Sequence, residues 1–383
     1  MEWETKKDRL HQVLNSKKYA SFEIIGALRV AISRCVMNNY KVWVWGAGER
    51  VPAFLKVLNK EKVNVVGVVD IDPHKVNTYI NEIKILSPDD MFGEKYKDEL
   101  FVFIWTNSFA GNSQEKMISE LYRNGIMHWY KITGEDRNQI CYFSNHDQEL
   151  VYKRNEDRIT DILENLYDEA SVDCMLEYFR TYVENSTWQM EESDTANKYF
   201  YGGTIDQPER LYVHLDDEVW LNCGCHVGDT IFNYFRNNLK AKCIFAVDGE
   251  MSHIHQLEDN LSYLSPEQRE SIKIKNTFID KNTDLNDLFE GEKLSLINAD
   301  IEGAELQLIQ DMLITICKDR PVLALCLYHK ADDAICIPDY LMNNLSEYCY
   351  IIRKYPSYYA YSYRNFELVL YAIPKERMVL KVV

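Results

Sequence analysis

No apolar stretch in this 383-residue sequence approaches the roughly 18 residues that span a bilayer. The run Pro321-Val322-Leu323-Ala324-Leu325-Cys326-Leu327 is only strand length. The segment Met1-Glu2-Trp3-Glu4-Thr5-Lys6-Lys7 lacks the apolar core of a secretory signal. Positive charge is in short supply: 43 Lys and Arg stand against 60 Asp and Glu, a formal charge of −17. A surface of that sign repels phosphate backbones and anionic bilayers, which argues against nucleic-acid and membrane partners. A disulfide framework is also missing. The ten cysteines are scattered, and Cys243 and Cys326 lie inside apolar runs, where a reduced thiol packs as a small hydrophobe. Together these absences point to a cytoplasmic protein. What is present is globular, 46% hydrophobic and 13% aromatic, at a length that suits two domains.

The pattern along the chain is α/β. Residues 1–40 read as helices, with Ile24, Ile25, Leu28, Val30, Ala31 and Ile32 on an apolar face. A strand over 41–45 runs into the turn Gly46-Ala47-Gly48 and a helix over 51–58. A strand over 63–69 ends at Asp70, and a third covers 100–105. Strands alternating with helices predict a parallel, doubly wound sheet. Residues 147–207 read as a charged helical connector, with Glu156, Asp157, Arg158, Asp161 and Glu164 on a solvated face. A second α/β domain then covers 208–383. The expected architecture is two Rossmann-like doubly wound domains, 1–146 and 208–383, joined by helices.

The second domain carries the chemistry. The strand Val219-Trp220-Leu221 enters the turn Asn222-Cys223-Gly224-Cys225-His226-Val227-Gly228-Asp229, and a helix follows. Glycines there let backbone come close to a ligand. A second strand, 243–247, ends at Asp248, placed about 20 residues after the turn, where a carboxylate binds a ribose diol. A third, 294–299, ends at Asp300-Ile301-Glu302-Gly303. Glycine, acid and acid at three successive strand ends mark the edge at which open α/β sheets bind nucleosides.

At these residues the chain resembles the FkbM family of S-adenosylmethionine-dependent methyltransferases, of the class I fold. The stretch Asp300-Ile301-Glu302-Gly303-Ala304-Glu305 carries the resemblance. Leu327-Tyr328-His329-Lys330-Ala331-Asp332-Asp333 and Glu367-Leu368-Val369-Leu370-Tyr371-Ala372 extend it, and Lys198-Tyr199-Phe200 is similar to the family's lead-in. The resemblance covers residues 160–373 closely. It implies a class I methyltransferase domain over 208–383 with one strand inserted antiparallel near its end. It also implies S-adenosylmethionine as cofactor, a small-molecule or carbohydrate acceptor methylated on oxygen, and Asn222, Gly224, Cys225, His226, Gly228, Asp248, Asp300 and Tyr199 around the donor. A homo-oligomer stays open. Four positions depart from the family pattern: Asn222 replaces an acid, His226 an asparagine, Gly249 a proline, and Asn298 a lysine.

Each candidate has a plainer reading beside it. Asp248 binds ribose or caps the helix containing Ile254 and Leu257, and Glu250 competes for the ribose. Glu302 orients substrate or caps the following helix. His329 is a general base with Asp332 or Asp333 as orienter, or a structural histidine. Cys223, Cys225 and His226 lack the second ligand cluster that a zinc site needs, so no metal is expected. Five tyrosines between Tyr355 and Tyr363 stack on sugar rings or pack on the protein. Gly46-Ala47-Gly48 with Asp70 resembles a dinucleotide-binding turn, but Val51 stands where a third glycine would let the helix approach, which argues against NAD. Two alternatives remain: a methyltransferase fold that binds without turnover, and a nucleotide-sugar enzyme working through the first domain.

Overall fold

The structure is a computed structural model that describes residues 4–16, 26–48, 50–105, 113–134, 136–137, 140, 149–184, 188–203, 206–279, 283, 288–356 and 367–379. Two compact units emerge, one of residues 18–147 and one of residues 1–17 with 148–383. The chain opens with α1 (Lys6–Leu14), and a Thr5 capping box with Asp8 starts this helix. Its buried Leu10 and Leu14 join the core of the larger unit, so α1 lies apart from the first-domain helices with which the sequence reading grouped it.

The smaller unit holds α2 (Gly26–Met37), β1 (Lys41–Trp45), α3 (Val51–Lys60), β2 (Val65–Val69), β3 (Tyr79–Ile80), β4 (Ile83–Leu86), β5 (Leu100–Ile104) and β6 (Trp129–Lys131). The sheet order is β3-β4-β2-β1-β5-β6, parallel except for the β3–β4 hairpin. Phe101 to Ile104 are all buried, as expected of a strand covered on both faces. Of the apolar face expected on α2, Leu28, Ala31 and Ile32 are buried, whereas Val30 is exposed. Ile24 and Ile25 lie outside the described residues.

The larger unit contains α4 (Glu156–Asn165), α5 (Glu169–Glu184), β7 (Tyr201–Gly203), β8 (Pro208–Arg210), β9 (Glu218–Cys223), α6 (Asp229–Arg236), β10 (Ala241–Asp248), α7 (Met251–Asn260), β11 (Ile272–Asn276), β12 (Leu296–Ala299), α8 (Glu305–Asp311), β13 (Val322–Cys326), α9 (Asp333–Asn344), β14 (Tyr348–Lys354) and β15 (Leu368–Pro374). Its seven-stranded sheet has the order β11-β10-β9-β12-β13-β15-β14. β15 pairs antiparallel with both β13 and β14, and the other five strands are parallel. Strand order reverses between β9 and β12, and the crevice opens there. Side chains alternate between two cores. Val219, Leu221, Phe245, Ile297 and Leu325 face one; Trp220, Ala246, Leu296, Ala324 and Cys326 face the other.

α5 differs from the solvated connector that its charges suggested. Val172, Met175, Tyr178, Phe179 and Tyr182 are buried, because acidic residues between them hide a continuous apolar face with helical spacing. β7 and β8 form a two-stranded ladder that the charged pattern did not reveal. Among the described residues no helix is long and apolar enough to cross a membrane.

Candidate functional site

Both units build the same turn. Gly46 has φ +110° and Gly224 φ +80°, and a Cβ on either would lie 1.9 Å from a carbonyl oxygen, that of Trp105 or of Asp300 respectively. Only glycine lets the two strand ends nest this closely. The acid ending the next strand then fastens the turn. Asp70 Oδ2 accepts from Ala47 N–H at 2.6 Å, and Asp248 Oδ2 from His226 N–H at 2.9 Å. The second oxygen of each accepts from the amide two residues on, Asp72 at 2.9 Å and Glu250 at 2.8 Å.

Around this turn the expected donor residues divide. Asp248 keeps lone pairs on both oxygens beyond the two backbone bonds, and His253 Nδ1 lies 3.2 Å from Oδ1. Gly228 (φ +91°) precedes α6 and packs against Leu257. His226 is exposed, with its ring edge-on to His253 at 4.4 Å. Cys225 and Asn222 are fully buried. Burial pushes the Cys225 thiol up to about 12. Neither Asn222 side-chain polar atom has a partner. Gly249 leaves room for the Phe278 ring, whose Cδ1 would be 2.2 Å from a Cβ there; that ring is 70% exposed beside Asp248.

Asp300 is the hub of a second cluster. Its Oδ2 accepts from Lys198 Nζ at 2.9 Å and the Tyr199 hydroxyl at 2.9 Å, and its Oδ1 from the Tyr328 hydroxyl at 3.1 Å. His329 Nε2 lies 3.2 Å from Oδ1. Four donors meet the roughly four lone-pair positions of a carboxylate. Burial would raise the Asp300 pKa, but Lys198 and His329 hold it well below the usual carboxylate range. Lys198 also pairs with Glu367. Tyr199 adopts φ +73°, strained for a bulky residue. Its N–H donates to the Tyr371 hydroxyl and its carbonyl accepts from Tyr212, which fix the strained turn.

His329 is gripped from both sides. Nδ1 lies 2.8 Å from Glu305 Oε1, and Glu305 is fully buried with Oε2 unpartnered. Burial favours the neutral ring, but Asp300 and Glu305 together raise its pKa to about 10. The imidazole is therefore a cation at neutral pH. Asp300 and Glu305 hold it, and not the expected orienters: Asp333 accepts from Lys330 N–H at 2.6 Å and Asp332 faces Cys336. Glu302 (φ +54°) is 80% exposed, 3.9 Å from His329 Nε2. It is not the N-cap of α8; that residue is Ala304, which makes no side-chain cap hydrogen bond.

Asp300, Glu305 and His329 bring three ligand atoms within 4.8 Å of one another. As arranged, the set does not suit a metal ion. Both ring nitrogens face carboxylates, and the Lys198 ammonium already neutralises Asp300. Lys198, Tyr328, Glu305 and Glu367 lie in the segments that carry the family resemblance but were given no role there; the structure gathers them around Asp300 and His329. In the tyrosine-rich stretch, Tyr355 is buried and bonds the Tyr201 carbonyl and the Tyr371 hydroxyl, while residues 357–363 lie outside the described residues.

A family model described as C2185-like, N-terminal, matches residues 38–124. No curated protein matches the sequence. Among solved structures the chain is similar to methyltransferase FkbM from Methylobacillus flagellatus KT. That match is 16% identical, covers 96% of this chain and 97% of that one, and has a TM-score of 0.54. Fibrillarin from Aeropyrum pernix, in complex with natively bound S-adenosyl-L-methionine, is 13% identical over 43% of this chain and 69% of its own, with a TM-score of 0.31. A precorrin-6y C5,15-methyltransferase from Geobacter metallireducens GS-15 is 15% identical over 41% and 78%, with a TM-score of 0.28. Over nearly its whole length the chain thus shares its fold with an FkbM methyltransferase.

Proposed function

We propose that the protein is an S-adenosylmethionine-dependent methyltransferase acting on an oxygen of a carbohydrate or related polar metabolite. The observation that carries the reading is the convergence of Gly224, Asp248 and Asp300 at three neighbouring strand ends beside the reversal of the sheet. The open lone pairs of Asp248 suit a ribose diol, and the exposed Phe278 ring beside it suits a purine face. The bound donor supplies an electrophilic methyl group on a sulfonium, which the acceptor oxygen takes in line as the sulfur–carbon bond breaks and the acceptor proton leaves.

The residues of this chain would then act by alignment. Asp300, saturated by four donors, holds Lys198, Tyr199, Tyr328 and His329 in place rather than meeting a ligand itself. His329, a cation with both ring nitrogens on carboxylates, keeps Asp300 and Glu305 in place and does not take the acceptor's proton. Glu302, the exposed carboxylate beside it, receives that proton or passes it to water. The saturation of Asp300 also favours a second reading, a binding protein with this fold and no turnover.

Calorimetry of the full chain with S-adenosylmethionine and with its demethylated product tests the first step. Methyl-labelled donor offered with mixtures of sugars and polar metabolites tests the second. Binding with label transfer supports the enzyme. Binding without transfer favours the second reading, and no binding removes both.

A further inference from the structure

Two amides stand side by side in the middle of the larger sheet. Asn222 on β9 and Asn298 on β12 are register partners. Their outer neighbours in the same row are Ala246 on β10 and Ala324 on β13. Both amides are buried, Asn222 at 0% and Asn298 at 1% exposure. Trp220 Nε1 donates to Asn298 Oδ1 at 2.6 Å, which fixes the orientation of that amide: oxygen to the indole, NH2 away from it. Asn298 Nδ2 and both polar atoms of Asn222 have no protein partner.

Three orphaned polar atoms in one spot exceed what native interiors tolerate, because each loses its water without replacement. A direct bond from Asn298 Nδ2 to Asn222 Oδ1 would still leave Asn222 Nδ2 unmet. The flanking residues are alanines, the smallest side chains that carry a Cβ, and they offer the amides no polar partner. The row's polarity is neutral: two NH2 groups and one carbonyl. An anion would find no countercharge there and a cation only one oxygen, so the row suits a neutral occupant that both accepts and donates.

We propose that Asn222 and Asn298 hold an ordered internal water between β9 and β12, two residues below Gly224 and Asp300 on the same strands. The water accepts from the two amide NH2 groups and donates to Asn222 Oδ1 or a neighbouring carbonyl. Asn222 is fully buried and does not reach a ligand at the strand ends directly, and the water does not depend on which ligand the site takes.

A high-resolution crystal structure of the unliganded full chain is the direct test. Ordered density within hydrogen-bond distance of both amides is expected. A dry row, or amides bonded only to each other, overturns the proposal. Thermal unfolding gives an independent measurement. Asn222→Leu keeps the branched shape, with bulkier end groups, and removes the polar atoms. If the water is bound, the variant loses its anchors and the midpoint falls, by roughly 2–4 °C for a unit of this size. If the amide is merely orphaned, the midpoint rises, which overturns the proposal. Should Asn222→Leu fail to fold, the wild-type density decides alone.

Discussion

His329→Gln tests the grip on the imidazole most directly. The ring lies 3.2 Å from Asp300 and 2.8 Å from Glu305 and is almost wholly buried. Burial opposes its charge, yet the two carboxylates lift its pKa to about 10, against about 6.5 in an unfolded chain. Because the folded value is the raised one, the stability from this pairing is fully present below about pH 6.5. It is lost as pH climbs through about 10. At about 1.4 kcal/mol per tenfold change in proton affinity, the rise corresponds to no more than ~5 kcal/mol. Removing one partner of a buried ion pair costs about 3–5 kcal/mol, a comparable figure. Glutamine approximates the ring's volume and cannot carry its charge, so His329→Gln should lose on the order of 3–5 kcal/mol at neutral pH. Urea unfolding of both proteins from about pH 6 to about pH 11 measures the gap. It should be widest below about pH 6.5 and narrow steadily from there to about pH 10, where the wild-type ring loses its proton. A gap that stays constant to pH 11, or ring nitrogens that titrate near 6.5 by NMR, would refute the charged assignment. The same reasoning bears on catalysis: methyl transfer should show no acid limb near pH 6.5 from this residue.

Four further outcomes follow. Lys198→Met should free Asp300 from its ammonium and cost on the order of 3–5 kcal/mol; because the Asp300 pKa is depressed, wild-type stability above about pH 4 should fall on acidification, and the variant should show less of that loss in acid titration of unfolding. Asp248→Ala should weaken donor binding by roughly 1–3 kcal/mol by calorimetry, and unchanged affinity in the folded variant would remove the ribose assignment. Native-state alkylation followed by mass spectrometry should label exposed Cys317 before buried Cys223 and Cys225, the latter with its thiol pushed up to about 12. Titration of the full chain with NADH should show no hydride transfer, since Val51 stands at the third-glycine position and Trp105 stands where the larger unit has Asp300.

Much of the strand-end chemistry could be read from the sequence, because turn, acid and glycine lie within a few residues of each strand. The parallel strands follow from apolar runs bounded by turns, and the antiparallel strand near the end from the family resemblance. The hub was not readable in the same way. Lys198 meets Asp300 across 102 positions and Glu367 approaches from the start of β15, and no local pattern announces either. His329 was visible as a candidate, but its charge was not, since that depends on Glu305 turning back toward it. Asp248 and Asp70 show the converse difficulty: the same spacing fastens a glycine turn to its sheet whether or not a ligand follows. α5 is hidden as a core helix because the charged residues of α4 precede it and its own buried face is discontinuous in sequence.

The row at Asn222 and Asn298 alters how the departures from the FkbM pattern weigh against activity. An acid at 222 and a lysine at 298, as the resemblance would have them, would face one another across adjacent buried strands, as the register of β9 and β12 requires. Replacing either alone strands the other charge in the interior, at a cost of about 3–5 kcal/mol. Replacing both with asparagine cancels the charge in one step. Under that resemblance, asparagine at both positions exchanges one pair of facing residues for another and does not amount to two separate losses. Intermediates such as Asn222→Glu alone should be the unstable ones, and Asn222→Glu with Asn298→Lys should recover what the single change loses.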